Sequence, residues 1–218
     1  MYDPLFAKET LSPDQPMPSS KDQQRRAAYQ ARDRQTDKDA LSAALCARII
    51  AQAAYQSAET VMWYVGCKSE VRTLSALRLE LDSRKRIVIP YCTRDEHGKR
   101  KLGLWHLTAL DELTPGAWDI PEPPKARWGD AETEVSPSEL DIIIVPGVAF
   151  DRSGGRLGNG AGYYDRLLAG VRKDAVLYGA CFESQLFDQI EMEAHDIPMD
   201  AVITENNVYL CRGRETAR

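Results

Sequence analysis

A chain of 218 residues, 43% hydrophobic and 28% charged, is long enough and apolar enough for one domain with a sizeable core. Its net charge of −5 gives no reason to expect nucleic acid or an anionic membrane as the main partner, and no apolar run approaches a membrane span. Five cysteines without a CxxC pair, and three histidines far apart in sequence, point to reduced thiols in a cytoplasmic protein rather than a disulfide frame or zinc site.

Residues 1–19 carry prolines and acidic residues and no apolar h-region, so they predict a flexible extension, neither secretory signal nor transit peptide. Ser20 stands three residues before Gln23, a capping-box pattern that opens a polar helix. A second helix is expected over 37–56, with Leu41, Leu45 and Ile49 on one face. "TVMWYV" (60–65) reads as a buried strand, "VRTLSALRLELDSR" as a helix with Leu74, Leu77 and Leu81 along one face, and "RIVIP" (86–90) as the next strand. Strand, helix, strand implies a parallel βαβ unit. "GLWHL" (103–107) is a further strand, and "WDIPEPPKARWGD" is too proline-rich for regular structure. "LDIIIVP" (140–146) is apolar throughout, as expected of a strand buried on both faces of a parallel sheet. A helix over 161–169, a strand in "AVLYGA" and two short strands in "DAVITENNVYL" complete the pattern. The fold class is α/β: a single three-layer α/β/α domain over 20–212 with a mainly parallel sheet, followed by a tail over 213–218.

Between the apolar strand and the next helix lies "GGRLGNGAGYYDRLL" (154–168), with five glycines in nine residues. Glycines let backbone N–H groups converge and let an anion approach, a helix start adds positive potential, and Arg156 offers a planar fork of donors. The residues read as a polyphosphate cradle or, alternatively, as an ordinary glycine-rich loop with one arginine. No GxxxxGK[ST] run is present, and no acidic residue stands where a dinucleotide site needs one. Cys67 and Cys92, each just after a predicted strand, read either as reactive thiols or as half-buried filler.

"PGVAFDRSGGRLGNGAGYYDRLL" closely resembles the fingerprint of the 5-formyltetrahydrofolate cyclo-ligase family, also called methenyltetrahydrofolate synthetases, with a match from Pro146 through Asp165. The order of the other segments agrees: a basic helix first, "SE" after the first strand, "WDIPEP" before the long strand, "IPMDAVIT" near the end. The resemblance implies an enzyme that closes 5-formyltetrahydrofolate to 5,10-methenyltetrahydrofolate with Mg²⁺ and ATP. Such an enzyme takes small molecules as partners, with no nucleic acid or membrane, as a monomer or weak homodimer. The rival readings are an ATP-dependent kinase or ligase with another acceptor, and a non-catalytic nucleotide or folate module.

By the same resemblance, Arg156 and Lys21 are the catalytic cations. Arg156, Leu157, Gly158, Asn159, Gly160, Ala161, Gly162, Tyr163 and Tyr164 hold the ATP phosphates, joined by Lys21 and Arg25 four apart on the first helix. Glu70 and Trp118 meet the pterin, with Tyr163 stacking on folate. Asp165 and Asp200 ligate Mg²⁺. Read without the resemblance, Glu70 is a loop cap, Asp165 a helix-surface acid and Asp200 a strand cap. This chain departs from the family at Ala161, where some members carry lysine, and at "GCKSEVRT", where "SFxxEVDT" is usual.

Overall fold

The computed structural model describes residues 20–116 and 120–214, so the extension over 1–19, Trp118 and the last four residues lie outside the described residues. In chain order the elements are α1 Lys21–Arg34, α2 Lys38–Ile50, α3 Ala53–Ser57, β1 Thr60–Met62, α4 Leu74–Glu80, β2 Arg86–Arg94, β3 Arg100–His106, β4 Thr114–Pro115 and β5 Pro121–Glu122. They continue with β6 Ile142–Pro146, β7 Ala149–Asp151, β8 Arg156–Leu157, α5 Tyr163–Ala169, β9 Val176–Ala180, β10 Leu186–Phe187, β11 Ala201–Ile203 and β12 Val208–Leu210.

The central sheet runs β12-β11-β9-β6-β1-β2-β3. Its five inner strands are parallel and its two edge pairs, β11–β12 and β2–β3, antiparallel. The inner strands bury both faces, which is why they read as continuous apolar runs. Val61, Ile87, Ile142 and Ile144 face the layer of α2, α3 and α4. Met62, Val88, Ile143 and Val145 face Leu167 and Leu168 of α5. That second face is only part helix: a small sheet, β10-β7-β8, completes it, and α1 packs Ala28 onto that sheet. The expected α/β/α layering therefore holds with one outer layer mixed.

The expected capping box opens α1: Ser20 Oγ accepts from Gln23 N at 3.3 Å, and Ser20 N donates to Gln23 Oε1 at 3.3 Å. The helix expected over 37–56 is two helices. The chain turns extended at Gln52, and the Gln52 side chain reaches back to the Arg48 carbonyl at 2.8 Å, closing α2. The break drops Tyr55 into the core, where it is fully buried. β1 is shorter than the expected 60–65 strand, because the Tyr64 carbonyl accepts from Thr73 Oγ1 at 2.6 Å instead of extending the ladder. On α4 the buried face is Ala76, Leu77 and Glu80; Leu74 is 40% exposed, against the expected stripe.

Tyr55 is the polar keystone of the first core. Its hydroxyl donates to Glu80 Oε2 at 2.7 Å and accepts from Trp63 Nε1 at 3.0 Å, with Trp63 fully buried. Tyr55→Phe leaves a buried N–H and a buried carboxylate each short of a partner. We expect a loss of about 1–3 kcal/mol, read as a lower urea midpoint. A midpoint equal to the parent's removes the bridge from the list of stabilising contacts.

Candidate active site

In the sheet, β1 lies between β2 and β6, so the chain turns to one side after β1 and to the other before β6. Ligands bind outside the carboxyl ends of the strands at such a reversal. A cavity of about 400 Å³ opens there, lined by Tyr64, Val65, Cys67 and Glu70 beyond β1 and by Pro146 and Gly147 at the end of β6.

The glycine stretch forms one wall of this cavity from Arg156 to Asp165. Arg156, on β8, pairs with Phe150 across the small sheet, and its side chain is 5% exposed. Its guanidinium is ion-paired with Asp165 and lies 5.8 Å from the centre of the Tyr164 ring, and its Nε has no partner. Gly158 leaves room for it: a Cβ there would sit 3.0 Å from the Arg156 guanidinium. Gly162 caps α5 at φ +65°, a conformation that favours glycine, so the helix starts at Tyr163 and not at the expected 161. Among the described residues the N–H groups of 158–162 donate to no acceptor, whereas the carbonyls of Gly158 and Ala161 accept from Arg25 (3.0 Å) and Arg166 (2.9 Å). Side-chain cations hold the loop by its carbonyls and leave its donors open. α5 has only seven residues, and the full charges at the loop are the side chains of Arg25, Arg156 and Arg166.

From α1, Lys21 and Arg25 both reach the cavity, as their spacing implies. Tyr29 bonds Asn159, so α1 straps the loop. Lys21 Nζ meets Glu193 at 2.7 Å and Asp196 at 3.1 Å. Burial works against the charged amine, but the two carboxylates outweigh it and its pKa is raised. Burial likewise pushes the Asp196 carboxyl up, and the Glu193 N–H and Lys21 outweigh it, holding it below the usual range.

Glu70 lines the cavity and is also the loop cap that it resembles in isolation. Its Oε2 accepts from Cys67 N at 3.2 Å, and its Oε1 lies 3.7 Å from the buried Arg32. Burial first, and Glu70 second, push the Cys67 thiol up to about 11; burial raises Cys92 as well. A raised thiol pKa disfavours the nucleophilic thiolate, so the half-buried filler reading is the better supported for both. Tyr163 lines the cavity beneath the Arg166 guanidinium, 5.7 Å from its ring centre, and Tyr164 both lines the cavity and packs against the second core.

Asp200 lies at the other end of the sheet. Its carboxylate accepts from Leu177 N at 2.7 Å, at the start of β9, and sits 3.9 Å from Arg214. It is a strand cap, and the structure does not bring it to Asp165. Asp196, four residues earlier, lines the cavity instead, with Glu193 and His195. The signal was present in "EMEAHDIPMD", where two aspartates stand four apart; only the register of β11 decides which one turns inward. Among the described residues no three metal-ligating side chains converge.

A family model described as the 5-formyltetrahydrofolate cyclo-ligase family matches residues 18–205. A Mycolicibacterium smegmatis protein named 5-formyltetrahydrofolate cyclo-ligase is 35% identical over 148 residues, 68% of this chain and 74% of its own length. The mouse protein of the same name is 30% identical over 171 residues, 75% and 81% of the two chains. The NMR structure of Aquifex aeolicus 5,10-methenyltetrahydrofolate synthetase matches with a TM-score of 0.73 at 30% identity, over 90% of this chain and 95% of that one. A Mycoplasma pneumoniae 5,10-methenyltetrahydrofolate synthetase shares the fold, with a TM-score of 0.65 at 20% identity, over 85% of this chain and 98% of that one.

The Lys21 cluster has a definite pH signature. A depressed Asp196 pKa contributes stability that is present above the ordinary carboxylate range and lost as pH falls through the lowered value. Lys21→Met removes one cause of the depression. The Asp196 carboxyl, followed by NMR, should titrate at higher pH than in the parent. Stability at neutral pH should fall by at most about 1 kcal/mol, because the amine is partly solvated. An Asp196 titration that does not move would mean that Lys21 is not its partner.

Proposed function

The chain belongs to the 5-formyltetrahydrofolate cyclo-ligase family, and from that premise we propose that this cavity carries out the family's ATP-driven closure of 5-formyltetrahydrofolate to 5,10-methenyltetrahydrofolate. The observation that carries the reading is the buried Arg156, incompletely partnered, beside a loop whose N–H groups are open to a ligand.

The chemistry sets what the protein has to supply. The formyl oxygen on N5 is a poor leaving group. Transfer of the γ-phosphoryl group to that oxygen, with ADP departing, converts it to a phosphate ester. N10 then attacks the formyl carbon and loses its proton, and the C–O bond breaks with phosphate as leaving group. No covalent enzyme intermediate is needed, so alignment and charge neutralisation suffice. Arg156 and the 158–162 N–H groups neutralise the phosphates. Lys21 and Arg25 close over them from α1. Glu70 presents a carboxylate to the paired N–H donors of the pterin, and Tyr163 offers a ring to stack on folate. Mg²⁺, when bound with ATP, would draw the phosphate oxygens together and offset their charge. The residues that fit it are Asp165 and Asp196, one oxygen donor from each side of the cavity, with phosphate and water completing a hard-cation shell.

The five cysteines are all free, which is in keeping with a reducing, cytoplasmic setting, and among the described residues no helix is long and apolar enough to cross a membrane. We propose a monomer or weak homodimer.

The deciding experiment follows methenyl absorbance from 5-formyltetrahydrofolate with and without ATP; no ATP-dependent signal would overturn the reading. Two variants then divide the site. Arg156→Lys keeps the charge but loses the fork, and turnover should drop by on the order of 10²–10³ at saturating ATP with the fold intact. Undiminished turnover would take Arg156 away from the phosphates. Glu70→Gln turns one acceptor into a donor facing a pterin donor. Folate affinity should weaken by about one to two decades while ATP affinity holds. If both fall together, Glu70 acts only as the cap of its loop.

A further inference from the structure

A second cavity, of about 360 Å³, abuts the first and shares Cys92 and Tyr163 with it. Arg94, Arg100 and Lys125 line it. The β2–β3 hairpin explains the continuity. Alternate residues of a strand share a face, so Pro90, Cys92 and Arg94 lie along one side of β2. The register sets Cys92 opposite Leu102 and Arg94 opposite Arg100. Pro90, Cys92 and Leu102 line the first cavity, while Arg94 and Arg100 line the second. That face of the hairpin is a strip that is apolar at Pro90, Cys92 and Leu102 and cationic at Arg94 and Arg100, two residue pairs further on and roughly 7 Å away; from its other face Tyr91 also lines the first cavity and Thr93 the second.

Arg94, Arg100 and Lys125 are exposed, and their charges meet no counter-charge among the described residues. Like charges directly opposite each other on an antiparallel pair are destabilising, and here Arg94 faces Arg100. Among the described residues none of the three cations is in an ion pair. Arg94 donates to the Gly98 carbonyl at 2.7 Å, and Lys125 lies 5.8 Å from the centre of the Trp128 ring. The acids of the hairpin turn are committed elsewhere: Asp95 accepts from His97 N and Lys99 N, and Glu96 lies 3.5 Å from His97. The strip is also fixed relative to the glycine loop. Arg166 donates to the Arg100 carbonyl at 2.8 Å and to the Ala161 carbonyl at 2.9 Å.

We propose that the second cavity receives the two carboxylates of the substrate's glutamyl tail, with Arg100, Arg94 and Lys125 as their partners. The inference rests on the cyclo-ligase reading. A folate is an apolar aromatic body with two carboxylates at one end, and the strip has that polarity in that order. An anion of this kind also relieves the repulsion between Arg94 and Arg100. The other anion at hand is the nucleotide's phosphate, but the 158–162 loop with Arg156 already answers to that chemistry.

The test compares 5-formyltetrahydrofolate with its neutral tail diamide, in the parent enzyme and in Arg100→Ala/Lys125→Ala. Each protein is its own control, because only the ratio of kcat/KM for the two compounds is read. The parent should favour the diacid by at least about tenfold, charge-assisted hydrogen bonds being the stronger class. The preference should shrink with added salt and collapse toward unity in the double variant. Equilibrium binding of both compounds without ATP should show the same pattern, and Arg94→Gln alone should reduce the preference partway. An equal preference in parent and variant overturns the inference. So does a variant in which ATP affinity falls while the preference stays, since the anion is then the nucleotide's. A parent that turns over diacid and diamide alike overturns the tail assignment alone. A parent that turns over neither sinks the cyclo-ligase reading and the inference with it.

Discussion

The site depends on keeping one guanidinium, Arg156, out of water without fully satisfying it. A buried cation is costly unless it is paired, and breaking such a pair costs more than forming it returns. Asp165 supplies the pairing charge from the first turn of α5, which is why the loop and that helix act as one unit. The geometry dictates the bare backbone. A Cβ on Gly158 would press on the guanidinium, and one on Gly147 would sit 3.3 Å from the Arg156 side chain while colliding with the buried Phe150 ring. The glycines serve as space for arginine as much as for a ligand. The Nε left without a partner gives a bound anion a reason to favour this spot over water.

The sheet order converts that local arrangement into a site. β1 and β6 are neighbours whose following segments diverge, so the Glu70 loop and the glycine loop line one cavity. α1 then crosses over: Arg25 and Tyr29 take the loop at Gly158 and Asn159, while Arg32 reaches Ser69 at 3.0 Å beside Glu70. One polar helix thereby touches the proposed phosphate side with its first turns and the proposed pterin side with its last. This accounts for a helix that buries Gln24, Ala28 and Arg32 rather than an apolar stripe.

What the sequence made legible follows from the range of each interaction. The β6 run, the Ser20 cap and the glycine stretch are local patterns with local causes, and each is where it was expected. The α2–α3 break was not legible, because it is enforced by Tyr55 finding Trp63 and Glu80 across the core. The expectation that Asp200 joins Asp165 did not foresee, for the same reason, that the pairing of β11 with β9 turns Asp200 toward Leu177 while Asp196 lines the cavity. The basic strip was equally hidden: Arg94 and Arg100 become neighbours only through the antiparallel register, and Lys125 arrives from a separate turn.

The free protein already holds the charges that its proposed substrates would bring. Lys21 is occupied by Glu193 and Asp196, Arg156 by Asp165, and Arg25 by Asp22 at 2.6 Å. Each cation expected at a phosphate thus has a carboxylate as its resting partner. Binding on this arrangement exchanges one anion for another rather than desolvating a bare cation, so the differential gain per contact is modest and several contacts must act together. Asp165 and Asp196, the carboxylates that such an exchange would release, are the oxygen donors proposed for a hard cation beside the phosphates. On that proposal the two acids would be free to hold Mg²⁺ only once phosphate has drawn Arg156 and Lys21 away from them, which would couple metal uptake to nucleotide uptake.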